Sequence, residues 1–429
     1  MERSESTDDS HATTWKDKSM ARNIVDTLQP RKTIPATLLG VGLGVGAGSL
    51  LAASVSALAG YFARRVVTPE ERRIGNSMIR EVVTDAEGKL WLHFVKDADT
   101  NQPGPCIFLT EFDACALRLS APADVPGKPR LVARKIEHVY RGSLEGVRRG
   151  YLSGAIYEHP EDLGFIAEDV VVPLEGGDGP AWLVRGTTNK DVWVIGVHGR
   201  GARRNESIRA LPALGSMGVT ALLMSYRNDG LAPHAPDGRY GLGDTEWLDV
   251  QAGIKFALDH GAQQIILLGW SMGGAISLQT ADRSELADRI DSLMLVGPVI
   301  NWVDVLSHQA RANKIPQSVG RFAQWLLSNK AGRWVTGQAA PVNLRRLNWV
   351  DRASELKHPT LIMHSRDDEF VPNGPSLKLA ALRPDLVTLR TFTKAGHTRE
   401  PNVDPQGFSN AITNFLDKRI AANEPSSQH

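Results

Sequence analysis

Residues 265–278 read IILLGWSMGGAISL, and the fold turns on this stretch. Four large aliphatic side chains in succession fit a strand buried on both faces. The run stops at Gly269, and a helical pattern begins just past Gly273. Between them stands Ser271, in the pattern Gly269-x-Ser271-x-Gly273. A strand that turns sharply into a helix needs neighbours without a bulky Cβ. The same turn holds the serine hydroxyl at the carboxyl end of the strand, where open parallel sheets place their ligands. A turn serine without chemistry fits the pattern too, so the rest of the chain must supply the partners of a nucleophile.

From about Glu168 onward the chain keeps one rhythm. DVVVPL (169–174) and AWLVRG (181–186) read as two opening strands. DVWVIGVHG (191–199) reads as a buried strand ending on a glycine turn, and VTALLMSYR (219–227) as another strand. SIRALPALGSMG (207–218) is helix-like, and TEWLDVQAGIKFALDHG (245–261) has helical spacing and closes on glycine. IDSLMLVGP (290–298), PTLIMHS (359–365) and LVTLRTF (386–392) complete the strands, and GFSNAITNFLDKRIAA (407–422) is a closing helix. Strands alternating with helices predict a mostly parallel central sheet with helices on both faces. Residues 299–359 are mostly helical in pattern, with Trp302, Phe322, Trp325 and Trp334 among them. They form either a lid over the site or an ordinary helical insertion.

A serine hydroxyl is a poor nucleophile near neutral pH and needs a base. His397, in FTKAGHTRE (392–400), stands just after the last predicted strand. The imidazole in turn needs a carboxylate to orient it and stabilise its charge. LIMHSRDDEFVP (361–372) offers Asp367 and Asp368 at another strand end. Nucleophile, acid, base is the chain order of α/β-hydrolases, not of chymotrypsin-like or subtilisin-like enzymes.

On these motifs, residues 168–420 resemble an α/β-hydrolase of the serine esterase, lipase and prolyl-oligopeptidase-like superfamily. In that family the acid commonly lies four residues before a proline, and counting back from Pro372 picks Asp368 over Asp367. His364-Ser365 replaces the usual His-Gly. SYRNDG (225–230), followed by PDGRYGLGDTEW (236–247), is similar to a subgroup of bacterial membrane-associated ABHD-type hydrolases. The resemblance implies catalytic Ser271, Asp368 and His397 and an oxyanion hole of two backbone N–H groups. One belongs to Met272, directly after the nucleophile. The other belongs to Arg200, because His198-Gly199-Arg200-Gly201 matches the family's His-Gly-x-x turn. The Arg200 side chain is expected in solvent. His198 and His364 are expected to be structural; Asp229, Asp244 and Glu246 are expected to serve turns and helix caps, with a place in the pocket lining as the alternative.

The remaining features exclude other classes. Among 429 residues the formal net charge is +1, so no basic excess points to nucleic acid. There is no H-E-x-x-H zinc motif and no G-x-x-x-x-G-K-[ST] phosphate loop, so neither metal nor cofactor is expected. Cys106 and Cys115 are too few for a disulfide scaffold and read as packing residues, with a single bridge left open.

Residues 1–33 are polar and read as disordered. From Ile34 to Phe62 no residue is charged, a length that exceeds the roughly 20 apolar residues needed to cross a bilayer. Gly40, Gly44 and Gly48 recur at helical spacing, which suits close packing in a membrane. A transmembrane helix over 34–62 is therefore expected. A cleaved signal peptide ending near Ala57-Leu58-Ala59 and a flexible soluble segment are the alternatives. Residues 63–167, with β-rich runs such as KLWLHFV (89–95) and CIFLTEF (106–112), predict a small accessory α+β layer. Residues 421–429 read as a disordered tail. The expected whole is a single-pass membrane-anchored serine hydrolase acting on acyl esters or lipids. A prolyl-oligopeptidase-like peptidase and a non-catalytic hydrolase-like binding protein are the alternatives.

Overall fold

The computed structural model describes residues 46–70, 75–110 and 114–423. The polar stretch 1–33, residues 34–45 of the expected membrane helix, and residues 424–429 of the expected tail lie outside the described residues. The chain enters through helix α1 (Gly46–Val67). Seven strands follow: β1 (Ser77–Thr84), β2 (Leu90–Val95), β3 (Cys106–Thr110), β4 (Ala116–Leu119), β5 (Ala123–Asp124), β6 (Leu131–Arg141) and β7 (Arg149–Ser153). The second sheet holds β8 (Glu168–Leu174), β9 (Gly177–Val184), β10 (Val192–Val197), β11 (Thr220–Met224), β12 (Gln264–Trp270), β13 (Ile290–Val296), β14 (Thr360–Ser365) and β15 (Val387–Phe392). Its helices are α2 (Leu211–Ser216), α3 (Trp247–Asp259), α4 (Met272–Arg283), α5 (Trp302–Ala312), α6 (Gln317–Ser328), α7 (Arg333–Thr336), α8 (Gly374–Leu382), α9 (Glu400–Val403) and α10 (Pro405–Asn423).

The strand order of the second sheet is β15-β14-β13-β12-β10-β11-β9-β8. Strands β10 to β15 run parallel, and β9 is antiparallel to both β11 and β8. Alternate residues of the central strands feed two cores. Ile195, Leu222, Leu267 and Leu293 pack on one face with Ile254 of α3 and Ile276 of α4. Val194, Leu223, Leu268 and Met294 pack on the other with Leu214 of α2 and Phe408, Ile412 and Leu416 of α10. Burial on both faces explains why these strands read as unbroken apolar runs. β11 lies on one side of β10 and β12 on the other. The carboxyl ends of β10 and β12 therefore flank the crevice where the winding reverses, the usual ligand site of an open parallel sheet.

The accessory region is more regular than its sequence suggested. The order β2-β1-β7-β3-β4-β6 closes through a β6–β2 pairing into an antiparallel barrel, with β5 added along β6. Closure removes the sheet edges that a free layer of this size would expose. Leu92, Phe94, Phe108, Leu117 and Val132 fill the interior. Cys106 and Cys115 are both free and buried. They sit at opposite ends of the β3–β4 hairpin, since Cys106 pairs with Leu119 while Cys115 meets Thr110. That separation is far beyond the reach of a disulfide.

Of the helix expected over 34–62, the described part is helical and continues to Val67. Ala59, Ala63 and Val67, spaced at i, i+4 and i+8, are fully buried, in one core with Val319, Ala323 and Leu327 of α6. A Cβ added at Gly60 would come 2.8 Å from Val335 of α7. The small residues on this face bring α1 close against the protein's own helices. Among the described residues no helix is long and apolar enough to cross a membrane. The insertion 299–359 provides this platform for α1, and its Gln309 also lines the cavity at Ser271. At the far end, α10 runs to Asn423, so residues 421–423 continue the helix where a tail was expected.

Candidate active site

Ser271 links β12 to α4 with φ 52° and ψ −114°. A positive φ is costly for a residue with a side chain, about 1–3 kcal/mol, and persists only where the surroundings enforce it. Here two close approaches do so. A Cβ at Gly269 would lie 2.5 Å from the carbonyl oxygen of Gly273. A Cβ at Gly273 would collide with the carbonyl oxygens of Val197 and His198. The Ser271 N–H donates to Val296 O at 2.9 Å, and its carbonyl accepts from Gly274 and Val299. The turn is thus anchored to β10 and β13 at once.

His397 and Asp368, predicted from separate strand ends, meet this serine. His397 Nε2 lies 2.7 Å from Ser271 Oγ, and its Nδ1 lies 2.7 Å from Asp368 Oδ2. An ionised carboxylate only accepts, so Nδ1 carries the proton and Nε2 is left to accept from the serine hydroxyl. Asp368 Oδ1 accepts from the N–H groups of Phe370 (2.9 Å) and Val371 (2.8 Å). Asp367, the other acid, accepts from Lys394 N at 2.6 Å instead. Burial works to raise the Asp368 carboxyl, but the His397 charge and hydrogen bonds from His364 and His397 outweigh it and hold it far below the usual range. Burial works to lower the His397 imidazole, and the charge and hydrogen bond of Asp368 reverse that, so the net shift is upward.

His198 and His364 support the two ends of this arrangement. His198 stacks on Tyr226 (centroids 4.1 Å apart), contacts Gly199 O through Nδ1 and reaches Asp229 Oδ2 at 3.2 Å. Burial would raise Asp229, but His198 and the N–H groups of Ala232 and Leu231 outweigh it and lower its pKa. His364 Nε2 lies 3.1 Å from Val371 O and 3.3 Å from Asp368 Oδ2. Glu246 accepts from Gly241 and Gly243 N–H groups. Asp244 holds Arg283 and Arg346, away from the cavity. Of the three acids expected in turns and caps, Asp229 lines the cavity.

The turn after β10 lies directly on the serine: a Cβ at Gly199 would be 3.1 Å from Ser271 Cβ. The Gly199 N–H donates to Glu206 Oε2 at 2.6 Å, which leaves Arg200 as the next N–H along this turn. Met272 opens α4, where helical N–H groups lack an intrahelical acceptor. The Arg200 side chain is not in solvent, as expected, but part-buried. Nε donates to Val66 O (2.9 Å), and Nη2 donates to Arg65 O and Thr68 O (3.0 Å each). Carbonyls at a helix C-terminus lack intrahelical donors, and a cation suits them. The end of α1 therefore fixes the turn that faces Ser271.

Several buried groups carry no local sequence signature. Glu206 bridges the Gly199 N–H to Arg209, whose Nη1 donates to Thr398 O (2.6 Å) and Asn402 Oδ1 (2.8 Å). Glu400 is fully buried, accepts from Ser365 N at 2.9 Å through Oε1, and leaves Oε2 without a partner among the described residues. Burial pushes its carboxyl up to about 7. Asn402 Nδ2 donates to Pro105 O and Gly154 O, both at 2.8 Å, clamping the barrel to the loop that carries His397. Arg134, fully buried, donates to the carbonyls of Thr100, Gly104 and Ser120 and so shapes the barrel loop in this clamp.

Ser271 and His397 open into a cavity of about 1100 Å³. Leu109, Tyr151 and Gly154 of the barrel form one wall, and Gln309 is the insertion residue that reaches it.

Residues 192–356 match the model of a family described as the alpha/beta hydrolase fold. With the sheet order and the turn at Ser271, the class of fold is plain: it is the α/β-hydrolase fold. The chain's curated relatives are hydrolases. A 2-hydroxy-6-oxononadienedioate/2-hydroxy-6-oxononatrienedioate hydrolase of Comamonas testosteroni is 30% identical over 191 residues, 36% of this chain and 66% of that enzyme. A 2-hydroxy-6-oxo-6-phenylhexa-2,4-dienoate hydrolase of Burkholderia cepacia is 28% identical over 247 residues, 47% of this chain and 84% of its own. Among solved structures, an esterase of Pyrococcus furiosus aligns over 61% of this chain and 94% of its own, at 20% identity and a TM-score of 0.47.

Two outcomes test the architecture. Replacing Arg200 by Ala removes three charge-assisted hydrogen bonds to α1 and should cost about 1–3 kcal/mol in urea unfolding. An unchanged midpoint and slope would contradict the docking. Glu400 loses its proton at about 7 when folded and near ~4.3 when unfolded. The folded state binds the extra proton between those values, so this group's stabilising contribution is lost as pH rises through that window. Glu400→Gln keeps an acceptor for Ser365 and cannot ionise. Between pH 4 and 8 the wild type should lose on the order of 3 kcal/mol relative to the variant, and parallel stability profiles would refute this.

Proposed function

We propose that the protein is a serine hydrolase that cleaves acyl esters through a covalent acyl-enzyme. The observation that carries the reading is the pair of 2.7 Å contacts joining Ser271, His397 and Asp368, centred on a serine of positive φ. In the proposed reaction Ser271 Oγ attacks the ester carbonyl carbon while His397 Nε2 takes its proton. Asp368 holds the ring in the required tautomer and stabilises the imidazolium. The N–H groups of Arg200 and Met272 receive the developing oxyanion. The C–O bond to the leaving group breaks, and His397 returns the proton to the departing alcohol. Water then gives a proton to His397 as it attacks the acyl-enzyme, the bond from the acyl carbon to Ser271 Oγ breaks, His397 returns that proton to Ser271 Oγ, and the acid is released.

A second reading is favoured by the curated relatives, which are hydrolases of 2-hydroxy-6-oxo-dienoates. A keto acid of that type could be attacked at its ketone by the same groups. A peptide amide is a third acyl donor compatible with them. Membrane attachment is no part of the proposal, because residues 34–45 lie outside the described residues and the C-terminal part of α1 is packed on the body.

A fluorophosphonate probe should label the wild type and lose all labelling in Ser271→Ala; equal labelling of both would end the assignment. For p-nitrophenyl esters, kcat/KM should fall on acidification with an apparent pKa above ~6.5, since His397 must be neutral to act as base and its pKa is raised. Asp368→Asn should lower kcat by roughly 1,000- to 10,000-fold. A flat profile from pH 5 to 8 would contradict the role of His397.

A further inference from the structure

Among the described residues that line the cavity is a cation, Arg399, that the proposed reaction leaves unused. Several arginines line the cavity. Arg141 is paired with Glu158, and Arg200 is held by the end of α1. Arg399 differs. It follows His397 by two residues, lines the cavity and is 8% exposed. Its Nη1 is buried without a hydrogen-bond partner, and no carboxylate forms an ion pair with it among the described residues.

Two further cations stand close to it. Arg134 ends on main-chain carbonyls with no carboxylate, and Arg209 already shares Glu206. Both guanidiniums have lowered pKa values, first through burial and also through the charge of Arg399, which places the three cations near one another. Asp99 is an acid of the same cavity whose carboxyl interacts with Arg399. Burial, and then Asp97, raise the Asp99 carboxyl, and the Arg399 charge works against them. The barrel also reaches this cluster. Barrel residue Gly154 stands over Arg399, where an added Cβ would lie 3.9 Å from Arg399 Cγ. A buried, unpaired cation is expensive, and a ligand that supplies the missing anion relieves that cost.

We infer that Arg399 binds a carboxylate carried by the substrate, so that the preferred substrates are acyl esters with an acid group remote from the scissile bond. The guanidinium fork matches a carboxylate in two parallel hydrogen bonds. The inference rests on Ser271 being the nucleophile, which puts the scissile bond in the same cavity.

The test compares p-nitrophenyl hemiesters of succinate, glutarate and adipate with the p-nitrophenyl esters of the corresponding neutral acyl chains. In the wild type at least one hemiester should exceed its neutral counterpart at least tenfold in kcat/KM. In Arg399→Gln that ratio should fall at least tenfold, and Arg399→Lys should recover part of it. A wild type that favours the neutral ester throughout, or a ratio that survives in Arg399→Gln, overturns the inference while leaving the ester hydrolase intact. Thermal shift with monomethyl glutarate gives a readout that needs no turnover. Stabilisation should occur in the wild type and in Ser271→Ala and be lost in Arg399→Gln. Equal shifts in all three, or none in the wild type, count against the carboxylate site. Stabilisation by this pattern without any ester turnover would support the site and count against the hydrolase reading.

Discussion

At Gly273 the backbone after β12 rests on the carbonyls of Val197 and His198, with no room for a side chain between them. That contact presses the turn bearing Ser271 against the turn that follows β10. It holds a non-glycine residue at φ 52° and keeps its hydroxyl 2.7 Å from His397. The parallel sheet brings the two strand ends side by side, and the absent Cβ atoms let them touch. Relax either turn and the serine, its base and the N–H groups around it would lose register together.

Around that contact the protein has built its support from buried charge. Glu206 takes the Gly199 N–H on one side and Arg209 on the other, while Arg209 reaches the loop just after His397. Glu400 takes the Ser365 N–H beneath Asp368. Asn402 carries the same loop into the barrel through Pro105 and Gly154. Arg200 carries the opposite turn into α1. The barrel and α1 are thus joined to the site through named polar contacts, so the N-terminal third of the described chain belongs to the working unit.

The fold and the three central residues were legible because both depend on local patterns. Strands buried on two faces leave apolar runs, and a strand-to-helix turn leaves Gly269-x-Ser271-x-Gly273. Asp368 and His397 each follow a strand, so parallel pairing carries them to the same edge. The choice of Asp368 over Asp367 needed the proline at 372 and not the acidic pair itself. What the chain did not reveal depends on distant partners. Helix α8 has a weak pattern because its apolar face is short, and it was not anticipated between β14 and β15. The accessory strands read as a small α+β layer and not as a barrel because the β6–β2 pairing that closes them joins segments far apart in sequence. The 34–62 run read as a membrane helix from composition, and composition carries no sign that its end, at Ala59, packs on α6. Nothing near Glu206, Arg209, Arg399 or Glu400 marks them as buried.

The central claim is that Ser271 Oγ and the N–H groups of Arg200 and Met272 converge on one reacting carbonyl. A crystal structure of the protein after reaction with an alkyl phosphonate tests it most directly. The account predicts phosphorus bonded to Ser271 Oγ, with one phosphonyl oxygen within about 2.7–3.1 Å of both N–H groups. Phosphorus on another residue, or an oxygen turned into the open cavity away from Arg200 and Met272, would contradict it.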